Sequence, residues 1–452
     1  MKTIVRFAPS PTGYLHVGNI RLALINWLYA RANNGKFILR FDDTDSNRSK
    51  SEYVDAIRND LNFLNLNWDS EAKQSDNMDK YSVVTDDLKN KGLLYPCYET
   101  PEELDFKRKR LRSQNQPPIY DRSSLRLTNE QKSSYEKDGR RPHWRFKLKR
   151  TEIAWSDLVR GEVVYNTINQ SDPVVIREDG TYLYLLPSVV DDINHNISHI
   201  IRGEDHVTNS AVQLEMMEAI KPDKHINFAH IPLLLGSEGE ALSKRLGSIK
   251  ILDLRESDIE ALSICSLLAR LGSSDSVEAC NNMESIISNF NIKSFSRATP
   301  KFSFQELLNI NVKVLQKTSF SQISERFKKQ GLSDSELNKK GEFFWNSIKA
   351  NINKFKEALT WWDICFKPLL TLKLGSELLT HAIDSLPQEP WSEDTWQVWT
   401  TSIKEKSGLR GKKLFLPLRQ ALTGLDSGPE LKYLLPLIGR ERTLKRISGD
   451  KA

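Results

Sequence analysis

The chain has 452 residues, more than one hydrophobic core usually covers, so about two to four domains are expected. Hydrophobic residues make up 39% and charged residues 27%, an ordinary soluble composition, and no apolar run reaches the roughly 20 residues that span a bilayer. The net charge of +6 is unevenly placed: residues 401–452 carry twelve Lys and Arg against five Asp and Glu, a local excess of +7 that suits a polyanionic partner or a solvated helical surface.

The first residues pass directly into strand-like Thr3-Ile4-Val5-Arg6-Phe7 with no long apolar leader, so a cytoplasmic protein is expected. Pro9-Ser10-Pro11-Thr12-Gly13 then blocks a helix, because proline lacks an N–H and fixes φ. Leu22, Leu24, Ile25, Leu28 and Ala32 recur at helical spacing until Asn33-Asn34-Gly35 signals a stop. Phe37 to Phe41 reads as a second strand, ending in Asp42-Asp43-Thr44-Asp45, and Tyr53, Ile57, Leu61 and Leu64 mark another helix. Strand–helix–strand units of this length predict a doubly wound parallel sheet of the Rossmann type, which binds ligands at the carboxyl ends of its strands.

From about residue 85 to 184 the rhythm breaks, with the basic run Lys107 to Arg112, Pro117-Pro118, and short strands such as Val163-Val164-Tyr165; an α/β insertion into the sheet domain is expected. Alternation returns from Tyr182 to Ile201, a helix is predicted over Val212 to Ile220, and Ile231-Pro232-Leu233-Leu234 reads as a strand before Gly236-Ser237-Glu238-Gly239. Beyond about Gln316 the pattern is helical, with Trp345, Ile348, Ile352 and Phe355 near one period, so an all-helical C-terminal region is expected.

The sharpest signal is Arg6-Phe7-Ala8-Pro9-Ser10-Pro11-Thr12-Gly13-Tyr14-Leu15-His16-Val17-Gly18-Asn19, set between strand and helix. Gly18 allows close backbone approach to a nucleotide, the helix N-terminus favours phosphate, and an imidazole can donate to phosphoryl oxygens. A lone His in a turn is more often structural, but these flanking residues weaken that alternative. The segment resembles the "HIGH" region of class I aminoacyl-tRNA synthetases, in the form typical of glutamyl enzymes; here it reads His16-Val17-Gly18-Asn19, with Asn19 in place of the second His. Ala241-Leu242-Ser243-Lys244-Arg245 is similar to the family's "KMSKS" loop; Ser243 and Lys244 match, Ala241 replaces its first Lys, and Arg245 adds a cation. Gly408 to Lys413 has the wrong spacing for a competing phosphate loop.

The resemblance implies ATP with Mg²⁺, L-glutamate and tRNA as ligands, and a glutamyl-adenylate on the way to aminoacylated tRNA. It implies that His16, Gly18, Asn19 and Lys244 bind ATP, and that His16, Ser243, Lys244 and Arg245 stabilise phosphoryl charge. It further implies a glutamate pocket of Arg6, Ala8, Ser10, Asp42, Tyr184, Ser188 and Arg202. Asp42 stands where the family usually has Glu, and Ser188 where it often has Asn. Arg202 is assigned to the side-chain carboxylate, which a glutaminyl enzyme would not meet with a cation. The implied domains are 1–84 with 185–235 (catalytic), 85–184 (acceptor end), 236–318 (stem contact, with the Lys244 loop) and 319–452 (anticodon). A monomer accepting tRNA-Glu, and possibly tRNA-Gln, is expected, with no membrane partner.

Some relatives carry a zinc knuckle in the insert. The cysteines here (Cys97, Cys265, Cys280 and Cys365) form no CxxC pair, and Cys97-Tyr98-Glu99-Thr100 offers one thiolate, so no zinc is expected. His195 and His199 have metal-compatible helical spacing but are read as a turn entering a strand.

Overall fold

A computed structural model describes residues 2–240 and 249–450, so the expected Ser243–Lys244–Arg245 loop lies outside the described residues. The chain forms two compact units, one of residues 1–255, 264–278 and 282–303, the other of 256–263, 279–281 and 304–452.

In the first unit β1 (Ile4–Phe7), α1 (Val17–Ala32), β2 (Lys36–Phe41), α2 (Ser51–Phe63) and β3 (Ser70–Lys73) build a parallel sheet in the order β1-β2-β3. Phe7 pairs with Leu39, and Phe41 with Lys73. All of β2 after Lys36 is buried, as expected for a strand covered on both faces. The stop after α1 falls where the Asn-Asn-Gly signal stands, with Asn34 at φ +49°.

After α3 (Met78–Asn90) comes the region expected to be inserted: β4 (Leu94–Cys97), α4 (Pro101–Ser113), α5 (Asn129–Lys137), β5 (His143–Phe146), β6 (Glu152–Asp157), β7 (Gly161–Asn166) and β8 (Val174–Ile176). Strands β4, β5 and β8 form their own antiparallel sheet. The hairpin β6–β7 does not stay with them. It joins the strands that follow, α6 (Leu185–Asn194), β9 (His199–Gly203), α7 (Val207–Ile220) and β10 (Asn227–Ile231), to give a sheet in the order β7-β6-β10-β9. The Ser198 N–H donates to the Ile4 carbonyl at 2.9 Å, linking β1 to the start of β9. Tyr81, Val189, Val190, Ile200, Met216 and Phe228 fill the core of this half.

Two expectations shift. The strand placed at 231–234 is instead Asn227–Ile231, since Pro232 has no N–H to give a central ladder. The alternation from Tyr182 to Ile201 is mostly α6, with only the last residues in β9. The 3.6-residue period over Trp345, Ile348, Ile352 and Phe355 also crosses a break, because one helix ends at Ile348 and the next begins at Phe355. All four side chains are nevertheless buried in one core.

The second unit is helical from Phe304–Lys317 through Arg440–Ser448. Phe327, Phe344, Trp345, Trp362 and Trp399 anchor it, with the Phe327 and Phe355 rings 4.9 Å apart. Thus the expected fold class, a doubly wound α/β domain with an insertion and a helical C-terminal region, is the one observed. Among the described residues no helix is long and apolar enough to cross a membrane.

Candidate functional site

The carboxyl ends of β1, β2 and β9 and the N-terminus of α1 surround a cavity of about 510 Å³. Of the residues singled out in the sequence, Arg6, Ala8, Ser10, His16, Gly18, Asn19, Asp42, Tyr184 and Arg202 line it. Ser188 is buried on α6, does not line the cavity, and its Oγ has no partner among the described residues.

His16 is the N-cap of α1. Its Nδ1 accepts from the N–H groups of Gly18 (3.1 Å) and Asn19 (3.4 Å), while Asn19 Oδ1 accepts from the His16 N–H at 3.3 Å. Burial lowers the imidazole pKa, and an Nδ1 occupied as acceptor puts the neutral ring's proton on Nε2, available to a phosphate oxygen. A Cβ at position 18 would lie 3.0 Å from His16 Cε1 and Nδ1. Gly18 therefore makes room for the imidazole, beyond any approach of the nucleotide. The chain that returns from the 241–248 segment is tied here as well, with Val17 N–H donating to the Ile249 carbonyl (3.1 Å) and Ile251 N–H to the Leu15 carbonyl (3.1 Å).

Beside this cap lies a buried charge network that sequence reading only partly found. Arg40 grips Asp42 through Nε (2.7 Å) and Nη2 (3.2 Å) and reaches Asp192 through Nη1 (2.8 Å); Arg6 Nε joins Asp192 at 3.1 Å. Asp191 is held by Tyr81, Gln74 and Asn77. Burial would raise Asp192, but the guanidiniums of Arg6 and Arg40 outweigh it and hold the carboxyl below its usual range. For Asp42 burial wins over Arg40, and its pKa rises. Arg40 is not among the residues the sequence singles out, although a strand places residues two apart on one face and so pairs it with Asp42.

Arg202 is different. It is only 6% exposed, yet Nη1 meets the Tyr184 hydroxyl (3.1 Å) and Nη2 meets Ser210 Oγ (2.6 Å), with no carboxylate partner among the described residues. A buried guanidinium tied to hydroxyls alone is strongly biased to take an anion from the cavity.

Chains with this sequence pattern are known. The model of "tRNA synthetases class I (E and Q), catalytic domain" matches residues 2–309, and "Anticodon binding domain" matches 335–449. The chain belongs to the class I tRNA synthetases of the E and Q type. A glutamate–tRNA ligase of Azospirillum brasilense is 48% identical over 453 residues, covering all of both chains. A glutamate–tRNA ligase 1 of Wolbachia pipientis is 48% identical over 99% of this synthetase and 98% of that one. A crystal structure of a glutamate tRNA ligase from Elizabethkingia meningosepticum in complex with its amino acid superposes with a TM-score of 0.84 at 26% identity, covering 99% and 98% of the two chains.

Two metal questions remain for this synthetase. Cys97, Glu99 and His143 offer ligand atoms within 4.8 Å of one another, a set that sequence spacing did not bring together. Its donor chemistry fits zinc poorly. Burial raises the Cys97 thiol, away from the thiolate that zinc needs; burial with the nearby Arg145 takes His143 down to about 4 and keeps its imidazole neutral, so it is the one donor of the three in ligating form and free of a partner among the described residues. Burial alone would raise Glu99, but hydrogen bonds from Ser124, Lys107, Ser123 and Tyr120 bring it to about 2 and occupy its oxygens. Three donors, one of them saturated, fall short of a four-ligand structural site. The His195–His199 pair is not a helical pair, because α6 ends at Asn194. The ring nitrogens of His199 already meet Ser198 and Asn227.

Proposed function

We propose that this synthetase joins L-glutamate to the 3′ end of tRNA in two steps. The glutamate α-carboxylate attacks the α-phosphorus of ATP and expels pyrophosphate; the terminal ribose hydroxyl of tRNA then takes the glutamyl group and releases AMP. The observation that carries the choice of amino acid is Arg202, a buried cation in the cavity wall whose side chain, among the described residues, bonds only to the hydroxyls of Tyr184 and Ser210. Glutamate's side-chain carboxylate neutralises it, whereas glutamine's amide leaves it unpaired.

In this reading Arg6 gives only Nε to Asp192 and turns its terminal nitrogens to the substrate. Asp42 holds the α-ammonium with lone pairs left over from its Arg40 bonds, since a carboxylate has about four acceptor sites. Ala8 and Ser10 complete the pocket wall, and Ser188 lies one layer back from it. His16 Nε2 donates to the phosphates above Gly18 and Asn19. Lys244, assisted by Ser243 and Arg245, grips the triphosphate; support comes from the tethering of Ile249, five residues beyond Lys244 in sequence, to the His16 segment. Positioning and fixed donors supply most of the acceleration, with little acid–base work.

Mg²⁺ would neutralise β- and γ-phosphate charge. With Asp42 engaged by Arg40, the cavity offers it chiefly Asp205, which suits an ion carried on the nucleotide better than a protein cage. We assign residues 1–84 with 185–235 to catalysis, 85–184 to the acceptor end, 236–318 to the stem and 319–452 to the anticodon. The basic excess over 401–452 favours the tRNA backbone. We take the enzyme to be a cytoplasmic monomer. Activation depends on bound tRNA, as the family resemblance implies.

The test is tRNA-dependent ATP–pyrophosphate exchange with glutamate and glutamine. Arg202→Ala is expected to weaken glutamate selectively, and an unchanged preference would end this assignment. Parallel aminoacylation of tRNA-Glu and tRNA-Gln decides whether one or both are accepted.

A further inference from the structure

Behind Arg202 runs a buried polar chain that the proposed reaction does not use. Asp157 closes β6, His230 lies on the neighbouring β10, Ser210 sits on α7, and Arg202 is the register partner of His230 on β9. His230 Nδ1 is 2.6 Å from Asp157 Oδ2, His230 Nε2 is 2.7 Å from Ser210 Oγ, and Ser210 Oγ is 2.6 Å from Arg202 Nη2. Asp157 Oδ1 accepts from the N–H groups of Val159 (3.0 Å), Arg160 (2.9 Å) and His230 (3.3 Å), so its carboxylate is fixed on both sides. The Phe228 ring lies 5.6 Å from the Arg202 guanidinium.

We infer that Asp157, His230 and Ser210 are positioning residues that hold the Arg202 guanidinium in register for the substrate's side-chain carboxylate. The inference rests on the reading of Arg202 given above and extends it to three residues outside the cavity wall.

The chain has a direction. An ionised carboxylate only accepts, so Asp157 fixes the proton of His230 on Nδ1. Burial keeps the imidazole neutral, which leaves Nε2 as a bare acceptor for the Ser210 O–H. The His206 carbonyl, 3.2 Å from Ser210 Oγ, is the other acceptor in reach of that hydrogen, and His230 Nε2 at 2.7 Å is the closer one; toward Arg202 Nη2, a donor without lone pairs, Ser210 Oγ accepts in either case. The order Ser–His–Asp resembles a hydrolytic triad, but Ser210 and His230 are fully buried and the serine lone pairs face a guanidinium. No substrate carbonyl reaches that oxygen. The chain orients; it does not attack.

Variants separate this role from simple packing. Ser210→Ala removes the anchor and is expected to raise KM for glutamate about tenfold in the exchange assay, the loss of one hydrogen bond to a charged group. The fall in kcat should be much smaller, and discrimination against glutamine should narrow. Two amide substitutions of His230 divide the functions of its imidazole. In His230→Asn the short amide falls near the place of Nδ1 and can keep the Asp157 bond; in His230→Gln the longer side chain reaches the place of Nε2 and can keep Ser210 oriented. Positioning therefore expects His230→Gln to retain a lower KM for glutamate than His230→Asn. Stability should rank the other way, because His230→Gln leaves a buried Asp157 oxygen unpaired. Glutamate KM and thermal unfolding are measured on both. Opposite rankings support the relay. KM that simply follows stability, or an unchanged KM in Ser210→Ala while Arg202→Ala raises it, overturns the relay and leaves the role of Arg202 standing. If Arg202→Ala itself leaves KM and preference unchanged, both readings fall together.

Discussion

His16 carries two separable duties, and one substitution divides them. As N-cap it accepts from Gly18 and Asn19 through Nδ1; as phosphate donor it would act through Nε2. His16→Asn keeps a short acceptor able to reach the same two N–H groups but removes the donor on the far side of the ring. Asn is among the best N-cap residues, so the variant should melt at or slightly above the parent, whereas His16→Ala should lose about 1 kcal/mol of capping. The rate should respond differently. Losing one fixed donor to a developing oxyanion costs about 10²–10³-fold, or about 2.7–4 kcal/mol of barrier. Both variants should therefore show similarly slow tRNA-dependent ATP–pyrophosphate exchange at saturating glutamate, while differing in thermal unfolding. An exchange rate for His16→Asn within threefold of the parent refutes the donor role. Equal destabilisation of the two variants refutes the cap.

Gly18→Ala sets a Cβ 3.0 Å from two atoms of the His16 ring, and is expected to slow exchange about tenfold without lowering the unfolding temperature. Asp60 on α2 is 2% exposed with an Oδ2 unpartnered among the described residues, and burial, only partly offset by Arg255, raises its pKa from 3.8 to about 6. Its folded-state pKa lies above the unfolded one, so its contribution is fully present below about pH 4 and is lost as pH rises through about 6. Asp60→Asn should thus raise the unfolding temperature at pH 8 but not at pH 4, with the two-unit shift limiting the gain to about 3 kcal/mol; equal effects at both pH values would refute this. Phe327→Ala opens the aromatic core of the helical unit and should cost about 3–5 kcal/mol, read as a lower denaturant midpoint by tryptophan fluorescence. Six of the ten tryptophans lie beyond residue 344 and report on that unit.

What was legible in the sequence follows from how local the cause is. The first strand–turn–helix is written in adjacent residues, where prolines forbid a helix before His16 and Asn33-Asn34-Gly35 ends it. Apolarity alone overruns the end of β10, because Leu233 and Leu234 continue the apolar run while the missing N–H of Pro232 stops the ladder at Ile231. A helical period survived across the break after Ile348 because both flanking helices bury the same stripe. Arg40 was within reach, two residues from Asp42 on one strand. Asp157 and His230 were not. They stand 73 residues apart, and only the pairing of a hairpin from the insert with β10 brings them to 2.6 Å. Ser188 was read from its place in the motif order, which cannot say which way a helical side chain turns.

The selectivity argument turns on a contrast between neighbouring cations. Arg6 and Arg40 share Asp192, and Arg40 also holds Asp42, so substrate meets guanidiniums whose charge is already partly balanced. Such groups can orient a carboxylate or an ammonium, but they discriminate weakly between glutamate and glutamine. Arg202 is fixed as firmly, by Tyr184, Ser210 and the face of Phe228, yet its tethers are neutral. A carboxylate in the place of Ser210 would give the same geometry while competing with substrate for the charge. The acid at the end of that chain, Asp157, stands two hydrogen bonds further back and already accepts from His230 and three backbone N–H groups, while Asp192 acts on Arg202 through space without a hydrogen bond to it. A neutral tether thus supplies orientation without direct pairing, leaving a buried cation with no carboxylate bonded to it among the described residues, to be met by the substrate's own side-chain carboxylate.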